Sequence, residues 1–111
     1  MVSTDQDTTW KQFKQYVNMT AREIEKWLET DQSQSVGQKR RGKESTGHAS
    51  GRRIIAILRS KRADLDDDDY AHMRKVVGYA KRHLAQHPTG DIADSAWRYS
   101  LMNWGHDPMK S

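Results

Sequence analysis

Apolar residues in this chain recur at steps of three and four and never alternate over a run, which predicts helices and no sheet. Trp10, Phe13 and Val17 place a first helix from about Thr8 to Asn18. Thr20 and Glu23 then form a capping-box pattern, with Met19 and Ile24 at the two staple positions around it. The helix they open shows Ile24, Trp27 and Leu28 on one face and fades near Thr30 and Asp31. The spacing of Ile54, Ile57 and Leu58 predicts a third helix from Ser50 to about Lys61, with Ile55 beside its stripe. Leu65, Asp66, Asp69 and Tyr70 repeat the staple and cap signature. From there Tyr70, Met73, Val77, Ala80 and Leu84 mark the longest helix, which Pro88 and Gly90 end. A fifth helix is expected from Asp94 to Trp104, with Gly105 at its C-terminal cap and Pro108 beyond.

Between the second and third helices the pattern lapses. Residues 31–47, DQSQSVGQKRRGKESTG, hold glycines and hydroxyl residues without apolar periodicity and predict a long mobile loop. The resulting expectation is an all-α fold, a single compact domain of about five helices with one long basic loop, the fourth helix being central. A flexible N-terminus over residues 1–9 precedes a domain over 10–108, and 109–111 form a tail. The expected core is Trp10, Phe13, Ile24, Trp27, Leu28, Ile54, Leu58, Met73, Val77, Leu84, Trp97 and Leu101.

Composition narrows the classes. Hydrophobic residues make up 34% of the 111 positions, below the ~45–50% usual in globular domains. Four Trp, four Tyr and Phe13 still argue for a folded core. Cysteine is absent, so disulfides, thiolate zinc sites and cysteine nucleophiles are excluded. No apolar run nears the ~20 residues that span a bilayer, and the polar, acidic start is unlike a secretory signal. These features lead us to expect a cytoplasmic protein, nucleoid-associated in a bacterium or nuclear in a eukaryote, with no membrane partner and no cofactor.

Charge changes the picture most. Residues 39–62 carry nine basic groups against Glu44 alone, whereas 63–70 carry five Asp and no base. Lys39, Arg40, Arg41 and Lys43 fall on the expected loop, and Arg52, Arg53, Arg59, Lys61 and Arg62 on or after the third helix. The segment STGHASG, with Ser45, His48 and Ser50, leads into that helix's expected start, and its other residues are small. Backbone N–H groups there can approach an anion, and two arginines in a first turn supply bidentate phosphate donors. This resembles a grip for a nucleic-acid backbone. The plainer alternative is a solvated basic surface, with STGHASG serving only as turn and cap.

Other constellations give less. Asp64, Asp66 and Asp68 start a calcium-loop spacing, but Asp69 stands where Gly is required and Lys75 where Glu is, so helix capping explains them better. His83 and His87 share a helical face without the Glu of a metalloprotease motif, and complement the helix dipole instead. The third and fourth helices are spaced like a helix-turn-helix, yet the turn that would enter the groove is Asp66–Asp69, which phosphates repel. Trp10, Trp27, Trp97 and Trp104 fall on apolar faces, leaving Tyr16 and Tyr99 freer. The aromatic-dense run WRYSLMNWGHDP is a candidate partner surface.

The segments VNMTAREIEKWLET, QSVGQ, ESTGHASGRRIIAILR, DDDYAHMRKVVGYAKRHLAQHP and WRYSLMNWGHDP resemble an uncharacterised family of small proteins, domain of unknown function 3140. Its members often carry the label DNA-binding without a mapped site, so the resemblance implies one intact domain and leans toward DNA. It carries over no catalytic residue. The sequence thus favours a non-catalytic DNA-binding protein, of no or weak sequence preference, that uses Lys39, Arg40, Arg41, Lys43, Ser45, His48, Ser50, Arg52, Arg53 and Arg59. RNA is a second possible ligand. The alternative is a protein-interaction module, with homo-oligomers among its forms, that pairs basic with acidic patches. An enzyme acting on phosphorylated substrates is the third reading.

Overall fold

The computed structural model describes residues 4–36 and 46–110. Among them are six α-helices and no strand: α1 (Thr4–Tyr16), α2 (Ala21–Leu28), α3 (Asp31–Ser35), α4 (Thr46–Arg59), α5 (Asp67–Ala85) and α6 (Ala96–Asn103). A short 3-10 turn, Arg62–Asp64, joins α4 to α5. The fold is all-α, as the spacing predicts.

Both capping boxes form. Thr20 accepts from the Glu23 amide at 3.1 Å while the Glu23 carboxylate accepts from the Thr20 amide at 2.8 Å. Asp66 and Asp69 repeat the exchange at 2.9 and 3.0 Å, starting α5 one residue after Asp66. Ser95 caps α6 in the simpler way, accepting from the Arg98 amide.

Helix α1 packs on α5 and α2 on α4, while α6 touches α2, α3, α4 and α5. The hub is therefore α6, not the long fourth helix of the sequence reading. Phe13, Ile24, Ile54, Ile57, Met73, Val76 and Leu101 are essentially solvent-free, with Leu28, Tyr70, Val77 and Trp104 nearly so. Trp10, Trp27, Leu58, Leu84 and Trp97, all expected inside, are half-buried rim residues.

Three boundaries move. Helix α1 begins at Thr4, so residues 4–9 are helical rather than a flexible terminus, and Thr9 is buried with its hydroxyl on the Asp5 carbonyl. Residues 31–35, expected in the loop, form α3. Thr30 caps it by accepting from the Ser33 amide at 3.1 Å, and the fully buried Ser33 hydroxyl donates to Asn103 Oδ1. The start of α4 at Thr46 is the third shift, and it bears directly on the site.

Candidate nucleic-acid interface

Thr46–Gly51, most of the segment read as a small-residue turn, are the first turn and a half of α4. Its glycines are packing residues rather than punctuation. A Cβ at Gly47 would touch Trp104 Nε1 and Asn103 Nδ2 at 3.4–3.5 Å, and one at Gly51 would lie 2.7 Å from the Asn103 carbonyl oxygen and 2.9 Å from Leu28. Spaced four apart on one helical face, the two bring α4 against α6 and α2.

That placement dissolves the expected phosphate grip at Ser50. Ser50 is buried four residues inside α4, with Oγ 2.9 Å from His72 Nε2. His48 Nε2 lies 2.7 Å from the Leu28 carbonyl oxygen, a bond between α4 and α2. Both side chains hold helices together. Lys39, Arg40, Arg41, Lys43 and Ser45 lie outside the described residues.

Arg52, Arg53 and Arg59 remain as an exposed row on a helix without a single carboxylate. The carboxylates come from other elements. Arg53 pairs with Asp69 at 3.2 Å, and Arg59 with Glu25 at 3.0 Å. Beyond the helix, Arg62 pairs with Asp7 and lies 5.5 Å over the Trp10 ring. Hydrogen bonds to Tyr70 and then Asp7 raise the pKa of its guanidinium. Exposed pairs of this kind contribute at most ~1 kcal/mol each, so a phosphate can compete for the arginines. Arg52 borders a hollow of about 330 Å³ with His48, Glu25, Glu29, Leu28 and Ile55. Its two carboxylates set it against anions.

Sequence reasoning missed these carboxylate partners because pairing across 16 to 55 residues leaves no local pattern. It also missed the polar centre. The buried Asn103 accepts at Oδ1 from Trp27 Nε1 at 2.7 Å and from Ser33, and returns a bond to the Ser33 carbonyl at 3.1 Å. Between α5 and α6 a run of near-parallel rings links Trp104, Tyr79, His83 and Trp97, at centroid separations of 4.3, 5.2 and 5.8 Å. His83 and Trp97 clasp reciprocally: Trp97 Nε1 donates to the His83 carbonyl at 2.7 Å, and His83 Nε2 lies 3.1 Å from the Trp97 carbonyl oxygen. Burial lowers the pKa of His83, a shift partly offset by that bond.

The aromatic C-terminal run packs against the domain with its middle buried and its two ends half-buried. Leu101, Asn103, Trp104 and Gly105 are buried, and His106 Nδ1 binds the Tyr16 carbonyl oxygen. Asp107 takes Arg98 through two bonds of 3.1 and 3.0 Å, and its backbone exchanges two more with the Asn18 side chain. The run forms an internal clasp. Asp66 and Asp69 likewise spend their carboxylates on the α5 cap, where the bond from the Asp69 amide lowers the pKa of Asp66.

Six helices among the described residues, a polar hub and the exposed arginines of α4 define a small all-α domain. Residues 12–102 match the family described as protein of unknown function (DUF3140), and the chain belongs to that family. No curated protein and no solved structure matches it. No helix among the described residues is long and apolar enough to cross a membrane.

Proposed function

We propose that this is a non-catalytic protein that binds DNA through its phosphate backbone, using the arginine row of α4 together with the Lys39–Lys43 run that precedes it in the chain. One observation carries the reading. Helix α4 exposes Arg52, Arg53 and Arg59 and contains no acidic residue, so its whole outer charge is positive. Lys39, Arg40, Arg41 and Lys43 precede that helix closely enough in the chain to act in concert with it.

Such binding is dominated by counterion release, so affinity falls steeply with salt. A fluorescence-anisotropy titration with random duplex, single-stranded DNA and RNA at two salt concentrations tests it. The expected result is duplex binding that weakens about 10-fold or more between 50 and 200 mM salt and is lost when Lys39, Arg40, Arg41 and Lys43 are reversed to Glu. Binding that ignores salt, or none, overturns it. The complementary acidic and basic surfaces already paired at Arg53–Asp69 support the second reading, an interaction module. A salt-sensitive homodimer without duplex affinity would establish that one instead.

A further inference from the structure

The outer face of α5 carries more positive charge than its ends require: the helix dipole accounts for Arg82 in the last turn, but not for Arg74, Lys75 and Lys81. Beyond its acidic first turn the helix runs YAHMRKVVGYAKRHLA, with four cations and no carboxylate. Arg74, Lys75, Lys81 and Arg82 are all exposed. At 3.6 residues per turn they fall within an arc of roughly 120° centred on Gly78, in two rows with a repeat of roughly 10.5 Å along the axis. Among the described residues none of the four pairs with a carboxylate, whereas Arg53 and Arg59 of α4 both do. Lys81 makes only a longer contact, 6.0 Å from the Tyr16 ring centroid. A face that was merely solvated gains from Glu–Lys pairs at i, i+4, and this one has none.

Gly78 adds a separate observation. It sits mid-helix, where glycine weakens an α-helix, and a Cβ there would meet nothing but the tip of the Arg82 guanidinium, at 3.2 Å. No neighbouring element requires its smallness. What the missing side chain leaves is open backbone between the two cation rows, room for a ligand rather than for the protein.

We infer that the outer face of α5, formed by Arg74, Lys75, Lys81 and Arg82 around Gly78, is a second contact surface for the phosphate backbone of duplex nucleic acid. Two pairs of cations separated by roughly 10.5 Å along the axis reach about three phosphate steps of ~3.4 Å along a strand. An anionic bilayer fits worse, because a helix lying on a membrane inserts bulky apolar side chains and this face offers only Ala71, Gly78 and Ala85. The carboxylates of the first turn confine contact to the part of the helix beyond Asp69. The two basic helices meet where Arg53 of α4 pairs with Asp69 in the first turn of α5 at 3.2 Å. The inference rests on the polyanion reading above and extends its contact surface from α4 onto α5.

The test compares three variants with the wild-type chain in anisotropy titrations of labelled random duplex at several salt concentrations. The first replaces Arg74, Lys75, Lys81 and Arg82 with Gln, a good helix former at exposed positions. The second replaces Arg52, Arg53 and Arg59 with Gln. The third is Gly78→Glu, which places a carboxylate between the rows, four residues before Arg82. That change favours the helix, so a higher melting temperature with weaker binding excludes loss by unfolding. We expect the first variant to bind at least 10-fold more weakly at low salt, its log–log salt slope shallower by roughly 2–4. We expect Gly78→Glu to lose a similar factor. Wild-type-like binding by both α5 variants, with loss in the α4 variant, overturns this inference and leaves the α4 reading standing. No duplex binding by the wild type overturns both. Vesicles with one-third anionic lipid form a parallel arm, and tighter binding there than to duplex also overturns the assignment to nucleic acid.

Discussion

An added methyl at Gly51 would lie 2.7 Å from the Asn103 carbonyl oxygen, a backbone atom that cannot swing away, and 2.9 Å from Leu28. Gly51→Ala should therefore destabilise by about 1–3 kcal/mol, the usual cost of overpacking. Gly78→Ala meets only a flexible guanidinium and should stabilise by about 0.5–1 kcal/mol. Urea melts of the two variants must move in opposite directions, and a shared direction would refute the placement of α4 against α6. Asn103 is the other decisive residue. Asn103→Leu removes the acceptor of Trp27 Nε1 and Ser33 and the donor to the Ser33 carbonyl, so stability should fall by roughly 2–4 kcal/mol. A melt within about 0.5 kcal/mol of wild type, the scatter of ordinary surface substitutions, would show that water replaces the amide without loss. Neither role was legible in sequence. GHASG reads equally well as a turn, and a polar residue near a helix end reads as solvated until its partners, 70 and 76 positions away, are seen.

At the scale of elements, what the sequence showed was whatever is local. The two capping boxes and the long α5 need only neighbours within four residues, and each formed where expected, while the apolar stripes held in part, with Trp27, Leu58 and Leu84 half-buried. Helix α3 was hidden because DQSQS has no apolar face; its order comes from the Thr30 cap and the buried Ser33. Of the site, Arg52, Arg53 and Arg59 were legible as exposed cations, while the inward roles of His48 and Ser50 depend on where α4 starts. The α4–α5 junction shows a consequence. Burial, with Arg53 and Lys75 adding to it, pushes His72 below its ordinary 6.5, and burial does the same to His83. A histidine depressed in the fold binds its proton more readily when unfolded. Its stabilising effect is complete above 6.5 and is lost as pH falls through the lower folded value. The melting temperature should decline between about pH 7 and 5, before the carboxylates titrate. His72→Gln should flatten part of that decline, measured by circular dichroism at half-unit pH steps. A wild-type melting temperature constant over that window would contradict the buried setting of both rings.

For the whole molecule, the clasp between the C-terminal run and the α1–α2 junction joins residues 89 positions apart. Gly105, at φ +81, turns the chain so that its carbonyl receives the Met19 amide at 3.2 Å, and the residues after it reach Tyr16 and Asn18. Asp107 is the fixed point, held by Arg98 and by the Asn18 side chain. Burial pushes its carboxyl up, but the Arg98 hydrogen bonds and the Met109 amide outweigh that and hold it below the ordinary range. The pair is more buried than the other ion pairs described, with side-chain exposures of 22% and 17%. It should contribute about 1–3 kcal/mol, between an exposed and a fully buried bridge. Asp107→Ala should then lower the melting temperature by roughly 5–15 °C at pH 7. Because the folded carboxyl is depressed, its stabilisation is present above the unfolded value near ~3.9 and fades as pH falls through the folded one. The gap between wild type and Asp107→Ala must consequently narrow from about pH 4 downward and be intact at pH 6. A gap of the same size at pH 2.5 and pH 6 would mean that packing, and not the Arg98–Asp107 charge pair, fastens the two ends of the domain.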